Sequence, residues 1–167
     1  MAKQRKITYL QGEGKLRDAH SLEVTLSNGD TGVVKFEKAI LATGSRPILP
    51  PMFNIGSPRV WDSTGGLDME ELPKRLLVVG GGYIGLELGS VYSALGSEVT
   101  VVEATSGLLP GADRDLVRVL QKSVEARMSR VLLNTKVTSM KDAGQTVEVT
   151  LTPNEGEVFS EHFDRVL

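Results

Sequence analysis

Between an apolar strand-like run, Leu76–Val79, and a helix-like stretch from Tyr83 to Leu95 lie three glycines in the spacing Gly80-x-Gly82-x-x-Gly85. A chain that leaves a strand and enters a helix through so short a turn needs residues without a Cβ. One makes the turn, one leaves the backbone bare, and one lets the helix sit down on the sheet. This feature commits the segment to a strand-turn-helix unit, and the residues after it continue the pattern. Gly96 is placed to close the helix, Glu98–Val102 reads as a strand ending at Glu103, and Asp113 is an N-cap for a helix from Arg114 to Met128. Val131–Lys136 reads as a third strand, followed by a strand pair around Val147–Leu151 and Glu157–Phe159. Alternating strands and helices imply an α/β fold with a Rossmann-like, doubly wound parallel sheet. A strand beginning near Arg165 is expected to run on past Leu167, so the domain reads as truncated at its C-terminal end.

The residues before this domain follow a different rule. Ile7–Leu10, Leu22–Leu26, Val33–Phe36 and Ala39–Leu41 are short strand-like runs broken by Gly12-Glu13-Gly14 and by the turn signal Ser27-Asn28-Gly29-Asp30, which is the signature of a β-meander. Gly44 to Pro73 holds five of the seven prolines and little periodicity, as a connection would. The expected divisions are residues 1–46 for the meander, 47–73 for the connection and 74–167 for the α/β domain. A net charge of −2 over 167 residues gives no basis for nucleic-acid binding, and no apolar run approaches the length of a membrane span. The basic start, Met1 to Lys6, leads into no apolar h-region, so no secretion signal is read. With no cysteine, the chain has neither disulfides nor thiolate chemistry, and no metal ligand set is apparent.

The glycine turn is also a candidate binding site. Gly80, Gly81 and Gly82 bring bare backbone to a helix N-terminus, where unpaired N–H groups and the positive end of the helix dipole, at Tyr83, Ile84 and Gly85, favour a pyrophosphate. Glu103 lies at the end of the next strand, some 20 residues on, which is where a carboxylate accepts hydrogen bonds from an adenosine ribose. A 2′-phosphate there would meet like charge, and Ala104 to Leu109 contains no Arg or Lys to receive one, so NAD is favoured over NADP. A turn with no ligand, or a methyltransferase loop for S-adenosylmethionine, uses the same glycines.

Further stretches carry a family resemblance. Ile40-Leu41-Ala42-Thr43-Gly44-Ser45-Arg46-Pro47, Trp61-Asp62-Ser63-Thr64, the loop Gly80–Gly89 and Leu133-Asn134-Thr135-Lys136-Val137 resemble the flavin-dependent disulfide reductases and, among them, the dihydrolipoamide dehydrogenases. The resemblance covers nearly the whole chain. It implies that residues 1–46 are the end of an FAD-domain segment in which Gly14, Thr43, Gly44 and Ser45 approach FAD. It also implies an NAD domain in which Val137 lies against the adenine, Glu87 stands near the nicotinamide carboxamide, and Tyr83 packs over that site. The implied parent enzyme oxidises dihydrolipoamide through a redox disulfide and FAD, reduces NAD, forms a dimer, and serves a 2-oxo acid dehydrogenase complex in the cytoplasm or mitochondrial matrix.

Several parts of that reaction are absent from these residues. There is no second glycine turn for FAD, no cysteine pair and no His-Pro-Thr, and His20 and His162 sit in polar surroundings expected at the surface. No catalytic residue is assigned, and the segment alone is expected to be inactive. The same marks fit a mercuric reductase or an NADH oxidase, and the glycine turn also fits a non-catalytic NAD-binding module.

Overall fold

The structure is a computed structural model and describes residues 2–167. The chain forms two compact units, one ending at Ser45 and the other spanning Arg46–Leu167.

The first unit is a three-stranded antiparallel sheet in the order β1 (Gly12–Asp18), β2 (Ser21–Leu26), β3 (Thr31–Lys35), preceded by a 3-10 turn at Lys3–Arg5. Its hairpins are set by local polar chemistry. Asp18 accepts the His20 N–H at 2.7 Å and the Ser21 hydroxyl, and Gly29 takes φ +90° between Leu26 and Asp30. Two expectations are corrected here. Gly12-Glu13-Gly14 belongs to a strand rather than a turn, and neither Ile7–Leu10 nor Ala39–Leu41 is a strand. The reason is pairing: β1 finds a ladder partner in β2, whereas the other two runs have none within the unit, and Ile40 is 94% exposed.

The second unit is built on a four-stranded parallel sheet in the order β10 (Arg165–Val166), β4 (Arg75–Val79), β5 (Glu98–Val102), β6 (Arg130–Leu132). Helices α2 (Tyr83–Ala94) and α3 (Arg114–Glu125) link its strands, as the α/β reading requires. Side chains alternate along the strands. Leu76 and Val78 of β4 and Val99 and Val101 of β5 pack with Leu86 and Tyr92 of α2 and Val117 and Val124 of α3. Leu77 and Val102 turn the other way and pack on the antiparallel sheet β7 (Thr135–Asp142), β8 (Val147–Pro153), β9 (Phe159–Phe163), with Val147, Val149, Leu151 and Phe163.

The expected strand Val131–Lys136 is in fact two strands. Asn134 takes φ +50° and breaks the run, so β6 stays in the parallel sheet while β7 enters the antiparallel one. The connection also contains a helix that periodicity does not reveal, α1 (Ser63–Asp68), whose N-cap Asp62 accepts the N–H groups of Thr64 and Gly65 at 3.0 Å. Gly66 in α1 accepts the Tyr92 hydroxyl at 2.8 Å, which ties α1 to α2. Among the described residues no helix is long and apolar enough to cross a membrane.

One ion cluster joins the two sheets. Glu161 of β9 accepts from Arg130 at 2.6 and 2.7 Å and from Arg75 at 3.0 Å. The Arg130 hydrogen bonds outweigh partial burial and hold the Glu161 carboxyl below its usual range. A depressed carboxyl stabilises the fold above its unfolded-state pKa, and that contribution is lost as pH falls through the folded value. Glu161→Gln is expected to cost on the order of 1 kcal/mol at neutral pH, discounted for the partly exposed arginines. Thermal unfolding from pH 7 down to pH 3 should show a shallower acid loss of stability in the variant than in the parent chain. Equal slopes would exclude this cluster as the source.

Candidate functional site

Chain order fixes where a site can form. The path β4-α2-β5-α3-β6 builds the sheet outward in one direction, and β10 is then added on the opposite side of β4. In open α/β sheets such a reversal is where a crevice lies, beyond the carboxyl ends of the two strands, here β4 and β10. A cavity of about 450 Å³ lies there, within the size range of small-molecule sites. Its walls are mostly apolar. They come from the connection (Ile48, Pro50, Phe53), from Trp61–Ser63, from Val166 and Leu167, and from Gly80, Gly82, Tyr83, Ile84 and Gly85.

Each glycine of the turn has a distinct local reason. Gly80 sits at φ +109° with its N–H donated to the Val102 carbonyl at 2.8 Å, so it needs the left-handed freedom of glycine. A Cβ on Gly85 would stand 2.6 Å from the Gly80 carbonyl oxygen and 2.9 Å from Val78 Cγ1, which forces α2 onto β4. Gly82, the N-cap of α2, faces open space. Among the described residues the N–H groups of Gly82, Tyr83 and Ile84 meet no backbone or side-chain acceptor. Bare donors at a helix N-terminus beside a cavity form a cradle suited to an anion.

Glu103 is 7% exposed and stands behind the turn. Its Oε2 accepts the Gly81 N–H at 2.8 Å, and its Oε1 accepts the Thr105 N–H at 2.8 Å and hydroxyl at 2.7 Å. Burial pushes this carboxyl up, but the hydrogen bonds from Thr105 and Gly81 together outweigh it and leave the group below its usual range. Glu103 therefore remains an anion at neutral pH. The neighbouring loop is pinned as well: Leu109 donates its N–H to the Gly81 carbonyl at 2.8 Å, and Arg114 donates to the carbonyls of Leu108 and Ala112 at 2.9 and 3.0 Å. Neither Thr105 nor Arg114 is suggested by spacing. Their signal is chemical, since a hydroxyl two residues beyond a buried carboxylate can fold back on it.

The other sequence-derived candidates are spread out. Tyr83 and Ile84 are exposed at the cavity rim, Glu87 is exposed on α2 away from it, and Val137 is buried in β7 against the parallel sheet. In the first unit, Gly14 lies in β1 over the Leu22 side chain, while Thr43, Gly44 and Ser45 are exposed, with Gly44 at φ +75°. His20 and His162 are exposed, and among the described residues no group of His, Asp and Glu could hold a metal.

Comparison with known proteins agrees with this architecture. Dihydrolipoyl dehydrogenase of Haemophilus influenzae is 43% identical over 169 residues, covering 100% of this chain and 34% of its own length. The HOCl-induced flavoprotein disulfide reductase RclA of Escherichia coli superposes with a TM-score of 0.77 at 32% identity, covering 99% of this chain and 36% of its own. The water-forming NADH oxidase of Lactobacillus brevis, solved bound to NADH, superposes at 0.67 with 26% identity over 92% of this chain and 35% of its own. Sheet order, glycine turn and these likenesses define an α/β module of the kind built into flavoprotein disulfide reductases. The chain belongs to the pyridine nucleotide-disulphide oxidoreductase family, whose model matches residues 1–167. It spans about a third of the length of the curated relatives it matches.

The glycine geometry separates fold from site. Gly85→Ala must displace backbone or Val78 and is expected to cost about 1–3 kcal/mol. Gly82→Ala meets nothing within 4 Å and should stay within about 1 kcal/mol of the parent chain. Urea denaturation checks both, and equal costs at the two positions would contradict the close approach of α2 to β4.

Proposed function

We propose that residues 74–167 are the NAD-binding part of a dihydrolipoyl dehydrogenase, that residues 47–73 are the connection to it, and that residues 1–46 are a piece of its FAD domain. The observation that carries the reading is the α2 N-terminus. Its unaccepted N–H groups and the open side of Gly82 face a crevice at the carboxyl ends of β4 and β10, with the Glu103 carboxylate behind the same turn. The cradle fits a dinucleotide without a lysine. The pyrophosphate would rest on the N–H groups of Gly82, Tyr83 and Ile84, and Glu103 would meet the adenosine ribose. Tyr83 and Ile84 would bound the nicotinamide end. Val137 is buried by its side chain, so contact with the adenine would fall to its strand backbone.

When bound, NAD supplies the acceptor for a hydride. This chain's residues bind it, orient it and refuse a 2′-phosphate. In the parent enzyme, dihydrolipoamide would lose two electrons and two protons as its thiols close to a disulfide. Bound FAD and NAD would supply the two-electron acceptors for that oxidation, with one proton released overall. This chain has no cysteine and would itself supply no thiol to that exchange. Gly14, Thr43, Gly44 and Ser45 would approach FAD, and a 2-oxo acid dehydrogenase complex in the cytoplasm or mitochondrial matrix would be the setting. The equivalent part of an NADH oxidase or mercuric reductase is the second reading, favoured by the NADH-bound oxidase that shares the fold.

Calorimetric titration with NAD, NADP and S-adenosylmethionine tests the site directly. NAD should bind more tightly than NADP, and S-adenosylmethionine should give no heat. Glu103→Arg and Gly82→Ala should each weaken NAD at least tenfold, the first by removing the acceptor and reversing its charge, the second by filling the bare side of the turn. NAD affinity unchanged in both variants would overturn the assignment. The purified chain should also be colourless and show no diaphorase turnover above a blank.

A further inference from the structure

The Glu103 carboxylate has about four acceptor positions, two on each oxygen. Both on Oε1 are taken by Thr105, through its N–H at 2.8 Å and its hydroxyl at 2.7 Å, and one on Oε2 is taken by the Gly81 N–H at 2.8 Å. Oε2 is the less occupied oxygen. The Thr105 hydroxyl has one proton and two acceptors in reach, Glu103 Oε1 at 2.7 Å and the Gly107 carbonyl at 3.0 Å. The shorter contact is to the charged acceptor, where a hydrogen bond is about twice as strong as one between neutral groups.

Resting on the NAD reading above, we propose that Thr105 is a positioning residue for nucleotide selectivity. By occupying Oε1, it fixes the Glu103 carboxylate so that Oε2 alone faces the ribose, able to accept one hydroxyl and unable to move away from a 2′-phosphate.

The physical reason is rotational. A carboxylate held on Oε1 by a backbone N–H alone turns more readily about its terminal torsion, which is broad and soft, and can carry its charge away from an incoming phosphate. The Thr105 hydroxyl, as a second donor on that oxygen, opposes the turn. Gly81 and Thr105 bind different oxygens, one from the turn before α2 and the other from the loop after β5. Thr105 is exposed, so replacing it removes this contact without opening a core cavity.

The test uses the whole chain with Thr105→Val and Thr105→Ser. NAD and NADP dissociation constants are measured by calorimetry, and exchange of the Gly81 amide is followed by NMR. Val keeps the shape and the backbone N–H but loses the hydroxyl. It should lower the NADP-to-NAD ratio of dissociation constants about tenfold and speed Gly81 exchange by a similar factor, while core amides such as Leu77 keep their protection. Ser should restore both. A ratio unchanged in Thr105→Val would overturn the selectivity role. Exchange rising uniformly across the chain would reduce Thr105 to ordinary stability. Failure of the parent chain to bind NAD at millimolar concentration would overturn the NAD reading instead, and the Gly81 amide would then still report whether Thr105 holds the carboxylate.

Discussion

Strand β4 is buried on both faces, and the second unit is arranged around keeping it so. Leu76 and Leu77 are fully buried and Val78 is 1% exposed, yet their side chains point alternately to the helices and to the antiparallel sheet. Each such side chain contributes roughly 1.5–3 kcal/mol on burial, so this strand alone represents a sizeable share of a domain's net stability. With both faces and both edges covered, β4 can meet a ligand only at an end. Its carboxyl end is where the chain passes through Gly80, beside the end of parallel β10 on the side away from β5, and where the cavity lies. The place of the site follows from the packing of the core.

The buried anion is the second constraint. A carboxylate at 7% exposure is costly unless its lone pairs are met, and Glu103 meets most of them with groups from two loops. The same bonds shape the turn. Gly81 is held by the carboxylate through its N–H and by Leu109 through its carbonyl, so the backbone between β4 and α2 is fixed on both sides before any ligand arrives. The donors left over at Gly82, Tyr83 and Ile84 are those facing the cavity. A cradle already in position loses little conformational entropy when an anion enters it.

Much of this was legible in the residues because local and global demands coincide. Leu76–Val79, the three glycines and Gly96 each state one local requirement, and together they define strand, turn and helix, whereas Asp113 stands at the N-cap of α3 without a side-chain cap bond. What was hidden depends on partners distant in sequence. Whether Val131–Lys136 forms one strand or two is decided by Asn134 at φ +50° and by the sheet that β7 joins, and neither can be read from alternation. Helix α1 is six residues long, too short for a periodic signal, and rests on the Asp62 cap and the Tyr92 hydroxyl. For Val137 the resemblance implies a place against the adenine, and what the residues do not reveal is that the fold turns its side chain into the core.

The two units differ in what they can supply by themselves. The second has helices on one face of a parallel sheet and a second sheet on the other, so its hydrophobic residues find each other within Arg46–Leu167. The first is a single three-stranded layer in which, among the described residues, only Ser21 and Val24 are buried. Leu16, Val33 and Val34 remain on its surface, and Ile7, Tyr9, Ile40 and Leu41 lie exposed in its flanks. An isolated sheet of this size needs a covered apolar face to be stable, because hairpin hydrogen bonds alone do not offset the entropy of ordering the chain. Burial rather than hydrogen bonding is what the first unit lacks, so its stability is set by what covers its apolar residues. That of the second unit is set by the core on which the glycine turn is built.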